Sequence, residues 1–258
     1  MSDAPKLFIV IPTYNEKENL PLMVTALQAL NLPQMHILVV DDNSPDGTGA
    51  IADDLVALYP EQIHVLHRQE KNGLGPAYIA GFKHVLSLGA DLIVQMDCDF
   101  SHDPKYVPVL LEKINNGYDL VLGSRFTKGG GVDETWSFYR KLLSRFANGI
   151  YVRVLLGLPI ADATGGFRIW KRDTLIGLDL ERIRASGYVF QVEMVYAAYR
   201  LGYKLTEVPI YFPDRKRGQS KMDLRIQLEA ALRVWQVRAR HSGLNPSMRR
   251  LTSYNNSV

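Results

Sequence analysis

Cross-linking chemistry is nearly absent from this sequence. Cys98 is the only cysteine in 258 residues, which excludes a disulfide framework within the chain and makes a reducing, cytosolic setting the expectation. A membrane-spanning run is also missing. A transmembrane helix needs roughly 20 mostly apolar residues. The long uncharged stretch LPLMVTALQALNLPQMHILVV, Leu20 to Val40, is interrupted by Asn31, Pro33 and Gln34, so it reads as a helix, a turn and a buried strand. The opening MSDAPKLFIV has no basic region and too short an apolar run for a signal peptide. Charge of one sign is scarce: 30 Lys and Arg stand against 27 Asp and Glu, a net +3. That is too weak to argue for nucleic acid, and no nucleic-acid-binding module is recognisable. Repeats and low-complexity tracts are lacking. Neither the Gly-x-Gly-x-x-Gly turn nor a Walker sequence occurs, so backbone cradling of phosphate is not the main device.

What is present suits a globular protein. The chain is 47% hydrophobic and 22% charged, enough apolar material for a core. Its length fits one large α/β domain or two small ones. Short apolar strands are expected at Leu7–Ile11, Ile37–Val40, Ile63–Leu66, Leu92–Met96 and Leu120–Leu122. Helices are expected between them, at Glu16–Leu30, Asp46–Leu58 with Asp46 as cap, Leu74–Leu88 and Tyr106–Ile114. This alternation predicts an α/β fold: a mainly parallel sheet with helices on both faces. Such sheets bind ligands at the carboxyl ends of their strands.

The polar clusters fall at those ends. PTYNE follows the first strand, DDNSPDGT the second and DCDFSHD the fourth. Three polar loops on one edge of a sheet describe a site rather than three unrelated helix caps. Their carboxylates can accept hydrogen bonds from ribose hydroxyls or base N–H groups, or hold a hard divalent cation. In Asp97-Cys98-Asp99, strand-end alternation is expected to point both acids to one side. A cation shared with a diphosphate would relieve their repulsion. Cys98 between them reads as a small buried filler.

In this order, PTYNE, DDNSPDGT, NGLGPAYIAGF, the D-x-D of DCDFSHDP, and GSR resemble the inverting family 2 glycosyltransferases of the Rossmann-like GT-A fold. Within that family, DDNSPDGTG, DFSHDP, GSRF, DATGGFR, GYVFQVEM and FPDRKRGQSKM resemble the dolichol-phosphate mannosyltransferases, or polyprenol monophosphomannose synthases. The likeness runs from about Phe8 to Lys221. It implies transfer of mannose from GDP-mannose to a polyprenyl phosphate, with inversion and with Mg²⁺ or Mn²⁺. It makes residues 1–241 one catalytic domain. The remainder, SGLNPSMRRLTSYNNSV, reads as a polar, disordered tail.

The same resemblance distributes roles. Pro12, Tyr14 and Glu16 would line the base and ribose pocket, and Asp42 would contact the nucleoside, with Asp41 structural. Asp97 would face the ribose or sugar and share the metal with Asp99. Many relatives carry a metal-binding glutamine two positions on; here it is Ser101. That leaves Ser101, His102 and water to complete the shell. Arg125, Arg140 and Arg215 would hold the acceptor phosphate, with Ser144 one helical turn after Arg140 and Lys221 on the donor diphosphate. Arginine suits phosphate because its fork binds two oxygens at once. Asp97, Asp99, Arg125 and Arg215 would carry the catalysis.

Asp162, Gly165, Gly166 and Arg168 lie where relatives place sugar or acceptor contacts. Glu193 has two readings, a contact to the hexose or a polar group on a half-buried helix. Gly129–Gly131 and Asp214–Lys221 would be mobile and order over the nucleotide. Gly73, Gly75 and Gly81 would serve tight packing.

A membrane lipid acceptor needs an approach to the bilayer. Trp136–Leu156 and Leu224–Arg240 mix arginines with aromatic and aliphatic residues, as suits an anionic membrane surface. The expectation is a cytoplasmic protein peripherally bound to the cytoplasmic face of a membrane, resembling the soluble catalytic chains that a small membrane-anchoring subunit recruits. Competing readings are the same chemistry with UDP-glucose and undecaprenyl phosphate, or a non-catalytic sugar-nucleotide-binding subunit. Both aspartates of DCD and the motif arginines argue against a dead site.

Overall fold

The computed structural model describes residues 4–133, 151–185, 187–213 and 224–251. Apolar β-rich runs form the centre of the chain. β1 (Leu7–Thr13), β2 (Met35–Asp41), β3 (Ile63–His67), β4 (Leu92–Gln95), β5 (Leu120–Ser124), β7 (Arg168–Lys171) and β8 (Leu205–Pro209) make a seven-stranded sheet in the order β3-β2-β1-β4-β7-β5-β8. A small parallel pair, β6 (Gly131–Val132) with β9 (Tyr211–Phe212), lies apart. In the large sheet only β7 runs against its neighbours, pairing antiparallel with β4 and β5. The other contacts, including β1 with both β2 and β4, are parallel. The strands after which the polar loops leave therefore end at one edge. The segment that enters β7 starts at that same edge.

Burial explains why the strands read as continuous apolar runs. The six other residues of β1 are buried and only Pro12 is partly exposed, as a central parallel strand covered on both faces requires. One face packs on α1 (Leu20–Gln28), α2 (Thr48–Leu58) and α4 (Val107–Asn115), through Leu20, Met23, Ala52 and Leu110. The other packs on α3 (Leu74–Ser87), α6 (Arg172–Leu178) and α7 (Tyr188–Arg200), through Tyr78, Phe82, Leu175 and Phe190. The short α5 (Arg153–Leu156) and the long α8 (Leu224–His241) join this second layer.

Several expected boundaries move. The second helix starts at Thr48, behind a left-handed Gly47. Asp46 still serves its first turn by accepting the Thr48 N–H at 3.0 Å. The expected disordered tail is corrected over Ser242–Arg250: Leu244 is buried, Arg249 donates to the Leu201 carbonyl at 2.8 Å, and Arg250 N–H reaches the Gly177 carbonyl at 3.1 Å. Its polarity hid these main-chain anchors.

Glycines Gly75 and Gly81 do serve packing. A Cβ on Gly81 would meet Val10 Cγ1 at 2.6 Å and Val40 Cγ2 at 3.0 Å, so α3 lies directly on the sheet. Gly73 differs: it sits at φ +97° before α3 with open space around its Cα, so its role is conformational. Gly81→Ala is expected to lower stability by about 1–3 kcal/mol through overpacking. Chemical denaturation checks this, and an unchanged midpoint would contradict the close approach.

Candidate active site

The loops after β1 and β2 are built as one unit. Chain leaving a parallel strand carries backbone N–H groups with no ladder partner. Here the side chains of DDNSPDGT accept those of PTYNE. Asn15 N–H donates to Ser44 Oγ at 3.1 Å, Glu16 N–H to Thr48 Oγ1 at 2.9 Å, and Lys17 N–H to Asp46 Oδ2 at 3.2 Å. Asp41 is buried and accepts from Thr13 Oγ1 at 3.2 Å and Ser44 Oγ at 2.6 Å. It braces the loop, as expected. Asn15 at φ 61° and Asn43 at φ 55° hold left-handed conformations, which asparagine tolerates best among side chains with a Cβ.

Asp42 is buried beside Arg68, whose guanidinium donates to it. Burial pushes the carboxyl up and the arginine draws it back only in part. Arg68 had no place in the sequence reading, although it directly follows β3 at the same edge. Tyr14 is half-buried, with the Lys71 ammonium 3.5 Å from its ring centre. Glu16 accepts from Asn19 Nδ2 at 2.7 Å. Pro12, Tyr14, Glu16 and Asp42 thus gather on the β1–β2 side of the edge.

The DCD loop follows β4. The strand stops at Gln95, so strand alternation is not what aims the acids. A bend does, with Phe100 at φ 62°, a strained value for a bulky residue. Asp97 and Asp99 are partly exposed and Cys98 is buried between them. Burial pushes the Cys98 thiol well up, which suits an inert filler. Asp97 accepts from the Tyr78 hydroxyl at 2.9 Å, and its N–H donates to His102 Nδ1 at 2.8 Å. Burial first, and then Asp97, push the Tyr78 phenol well up, so it keeps its proton. Asp99 accepts from Ser101 N–H at 3.0 Å and Ser101 Oγ at 2.5 Å.

Two residues expected beside the metal have other partners in this structure. Ser101 is buried with its hydroxyl directed at Asp99, which it orients. His102 is buried, stacked on Phe167 with ring centres 5.2 Å apart, and its Nδ1 is occupied by the Asp97 N–H. Among the described residues no group of three His, Cys, Asp or Glu could hold a metal. Asp97 and Asp99 offer hard oxygen donors that fit Mg²⁺ or Mn²⁺, and most of the shell is left to ligand oxygens and water.

On the β5–β7 side the expected residues are drawn into internal pairs. Arg125 directs its fork at Asp162, with Nε to Oδ2 at 2.7 Å and Nη2 to Oδ1 at 2.8 Å, and reaches Thr164 Oγ1 at 2.9 Å. In this pairing it braces the DATGG loop. Asp162 is fully buried, as is Arg168, which donates to the carbonyls of Gly165, Ala163 and Gln191. Burial lowers Arg168 to about 9, which leaves it protonated at neutral pH. Glu193 is buried and accepts from Arg184 N–H at 2.9 Å, Ala185 N–H at 2.6 Å, His241 at 2.8 Å and Arg240, so its structural reading holds. The glycine run is tightly folded: Gly131 belongs to β6, and a Cβ on Gly130 would meet the Ser124 carbonyl at 2.5 Å. Arg140, Ser144, Arg215 and Lys221 lie outside the described residues.

The sequence model of glycosyl transferase family 2 matches residues 8–177. A polyprenol monophosphomannose synthase of Mycolicibacterium smegmatis is 45% identical over 237 residues, covering 91% of this chain and 88% of that protein. An undecaprenyl-phosphate mannosyltransferase of Micrococcus luteus is 46% identical over 241 residues, covering 93% and 97%. Among solved structures, glucosyl-3-phosphoglycerate synthase of Mycobacterium tuberculosis, in complex with Mn²⁺, uridine diphosphate and glucosyl-3-phosphoglycerate, gives a TM-score of 0.61 at 20% identity, over 93% of this chain and 81% of that one. Mannosyl-3-phosphoglycerate synthase of Rubrobacter xylanophilus gives 0.63 at 19%, over 98% and 78%. These structures share the fold.

The Arg125–Asp162 pair sets a test of its own. Burial pushes Asp162 up, but Arg125 and the loop N–H groups outweigh it and hold the carboxyl below its usual range. Its stabilisation is therefore complete above the unfolded pKa of about 4 and is lost as pH falls through the lower folded value. Asp162→Asn removes the buried charge that faces the Arg125 fork, a loss of about 3–5 kcal/mol at neutral pH. Denaturation curves should show that gap closing as the solution is made acidic; a constant gap would contradict the pairing.

Proposed function

The chain belongs to glycosyl transferase family 2, and from that premise we propose that it moves mannose from GDP-mannose to a polyprenyl monophosphate, inverting the anomeric carbon. The observation that carries this reading is the pair Asp97 and Asp99, held by hydroxyl donors beside the interlocked loops at the strand ends. Two relatives of nearly half identity, one named for polyprenol and one for undecaprenyl phosphate, support the acceptor class. Chain length of the lipid is the variable between them.

In this reading Pro12, Tyr14, Glu16 and Asp42 receive the nucleoside, with Arg68 fixing Asp42. Asp97 and Asp99 would hold Mg²⁺ or Mn²⁺ against the donor diphosphate, where the ion would neutralise the leaving group. Tyr78 and Ser101 keep the two carboxylates aimed. The second pKa of a phosphate monoester is near ~6, so the acceptor already carries its nucleophilic oxygen deprotonated at neutral pH. No side chain is required as a strong general base. The protein's task is to bring two anions together, which calls for cations around the acceptor. Arg125, Arg140 and Arg215, with the Ser144 hydroxyl, are proposed for the acceptor phosphate, and Lys221 for the donor diphosphate.

Among the described residues no helix is long and apolar enough to cross a membrane. We propose peripheral docking through α5 and α8. Val154, Leu232 and Trp235 are 74%, 70% and 55% exposed. Arg153 and Arg233 accompany them, and Arg238 links the two helices through the Leu155 carbonyl at 2.7 Å. Apolar and aromatic side chains ringed by arginine suit an anionic lipid surface. A small membrane subunit could add to this anchor.

Two experiments test the reading. Labelled mannose should pass from GDP-mannose into a solvent-extractable polyprenyl phosphate only with Mg²⁺ or Mn²⁺, and Asp99→Ala should abolish it. Transfer from UDP-glucose instead would keep the mechanism and overturn the donor; full rate in Asp99→Ala would remove that carboxylate from the metal. In flotation with anionic vesicles, the chain should rise with the lipid and Leu232→Glu/Trp235→Glu should stay below. Equal flotation of both would place the docking surface elsewhere.

A further inference from the structure

A line of hydrogen bonds runs from the centre of the sheet to the β7 side of the candidate site and stops at a donor with nothing to bind. Trp170 Nε1 donates to Gln95 Oε1 at 3.2 Å, and Gln95 Nε2 donates to Gln191 Oε1 at 2.7 Å. The polarity of this line is fixed by chemistry. Indole N–H can only donate, so the Gln95 atom facing it is the oxygen. The Gln95 amide nitrogen must then face Gln191, whose oxygen turns toward Gln95 and whose nitrogen turns away. An exchanged amide oxygen and nitrogen would place two donors against each other at one end of the line. Gln191 is 2% exposed, and its Nε2 has no hydrogen-bond partner among the described residues. A buried amide N–H left unmade is unfavourable enough to need an explanation.

The surroundings of that nitrogen supply one. A Cβ on Gly166 would lie 3.4 Å from Gln191 Nε2 and 3.1 Å from His102 Cε1. Gly166 is partly exposed, so the missing side chain leaves an approach over the amide. His102 is the residue whose Nδ1 accepts the Asp97 N–H, which puts the amide next to the carboxylate loop. The sheet order gives direction. The nucleoside loops leave β1 and β2, the carboxylate loop leaves β4, and Gly166 precedes β7 on the far side of β4. A sugar nucleotide laid along the edge places its base over β1–β2, its diphosphate at Asp97 and Asp99, and its hexose toward β7. A neutral N–H donor there matches a hydroxyl oxygen.

Resting on the function proposed above, we infer that Gln191 binds a hydroxyl of the transferred hexose through Nε2, with Gln95 and Trp170 setting its orientation and Gly166 keeping the approach open. The amide distinguishes the sugar nucleotide from the bare nucleotide, because GDP ends before reaching it.

Calorimetric titration of the full chain with GDP-mannose and with GDP, each with Mn²⁺, tests this without relying on turnover. Gln191→Leu should weaken GDP-mannose roughly tenfold, the loss of about one neutral hydrogen bond, and leave GDP unchanged. Should the leucine variant melt early, Gly166→Ala makes the same comparison, since its methyl group covers the amide. Within a series of deoxymannose donors, one should bind the natural protein as weakly as GDP-mannose binds the variant, and lose nothing further on the variant. Equal weakening of GDP and GDP-mannose would reduce Gln191 to a structural part and overturn the inference. So would unchanged affinity for both, which would assign the amide to a trapped water. Failure of the natural protein to bind GDP-mannose at all would instead remove the function reading on which this rests.

Discussion

Carboxylates crowded at one edge of a parallel sheet repel unless each is given a donor, and the rest of this site depends on how those donors are assigned. Asp42 and Asp162 are buried and take arginines, Arg68 and Arg125. Asp41 is buried and takes two hydroxyls. Asp97 and Asp99 lie partly open and take a phenol and a serine hydroxyl. A hydroxyl orients a carboxylate without cancelling its charge, whereas an arginine largely neutralises it. The assignment thus separates acids that hold the fold from acids presented outward as hard oxygen donors.

The same economy of donors shapes the backbone. Three consecutive N–H groups of the first loop find acceptors in side chains of the second, so two loops far apart in sequence share one conformation. Asn15, Asn43 and Phe100 hold left-handed backbone in the three loops at this edge of the sheet. Such conformations persist when surrounding hydrogen bonds over-determine them. The site is therefore organised before a ligand arrives, which suits chemistry that rests on position and electrostatics more than on proton transfer.

Much of this was legible in the sequence, and the remainder was hidden for physical reasons. Continuous apolar runs marked the parallel strands, and the loops that follow them had to share an edge. β7 escaped notice because four residues, Arg168–Lys171, carry little periodicity, and its antiparallel insertion between β4 and β5 depends on distant partners. The pairing of Arg125 with Asp162 could not be read from the sequence because the partners are 37 positions apart. Ser101 stood where a ligand was expected, yet its hydroxyl serves Asp99. Tyr78 lies in the expected third helix and is buried in the core, but its hydroxyl reaches Asp97. Motifs gave the address of each group; burial and pairing decided its task.

The central claim is that Asp97 and Asp99 form a divalent-cation site completed by a nucleoside diphosphate. Electron paramagnetic resonance of Mn²⁺ titrated into the protein, alone and then with GDP, tests it most directly. The account predicts weak binding of the ion alone, since two carboxylates fill little of its shell. It predicts marked tightening with GDP and loss of that tightening in Asp97→Asn/Asp99→Asn. Tight Mn²⁺ binding without nucleotide, or GDP-dependent binding that survives the double substitution, would contradict it.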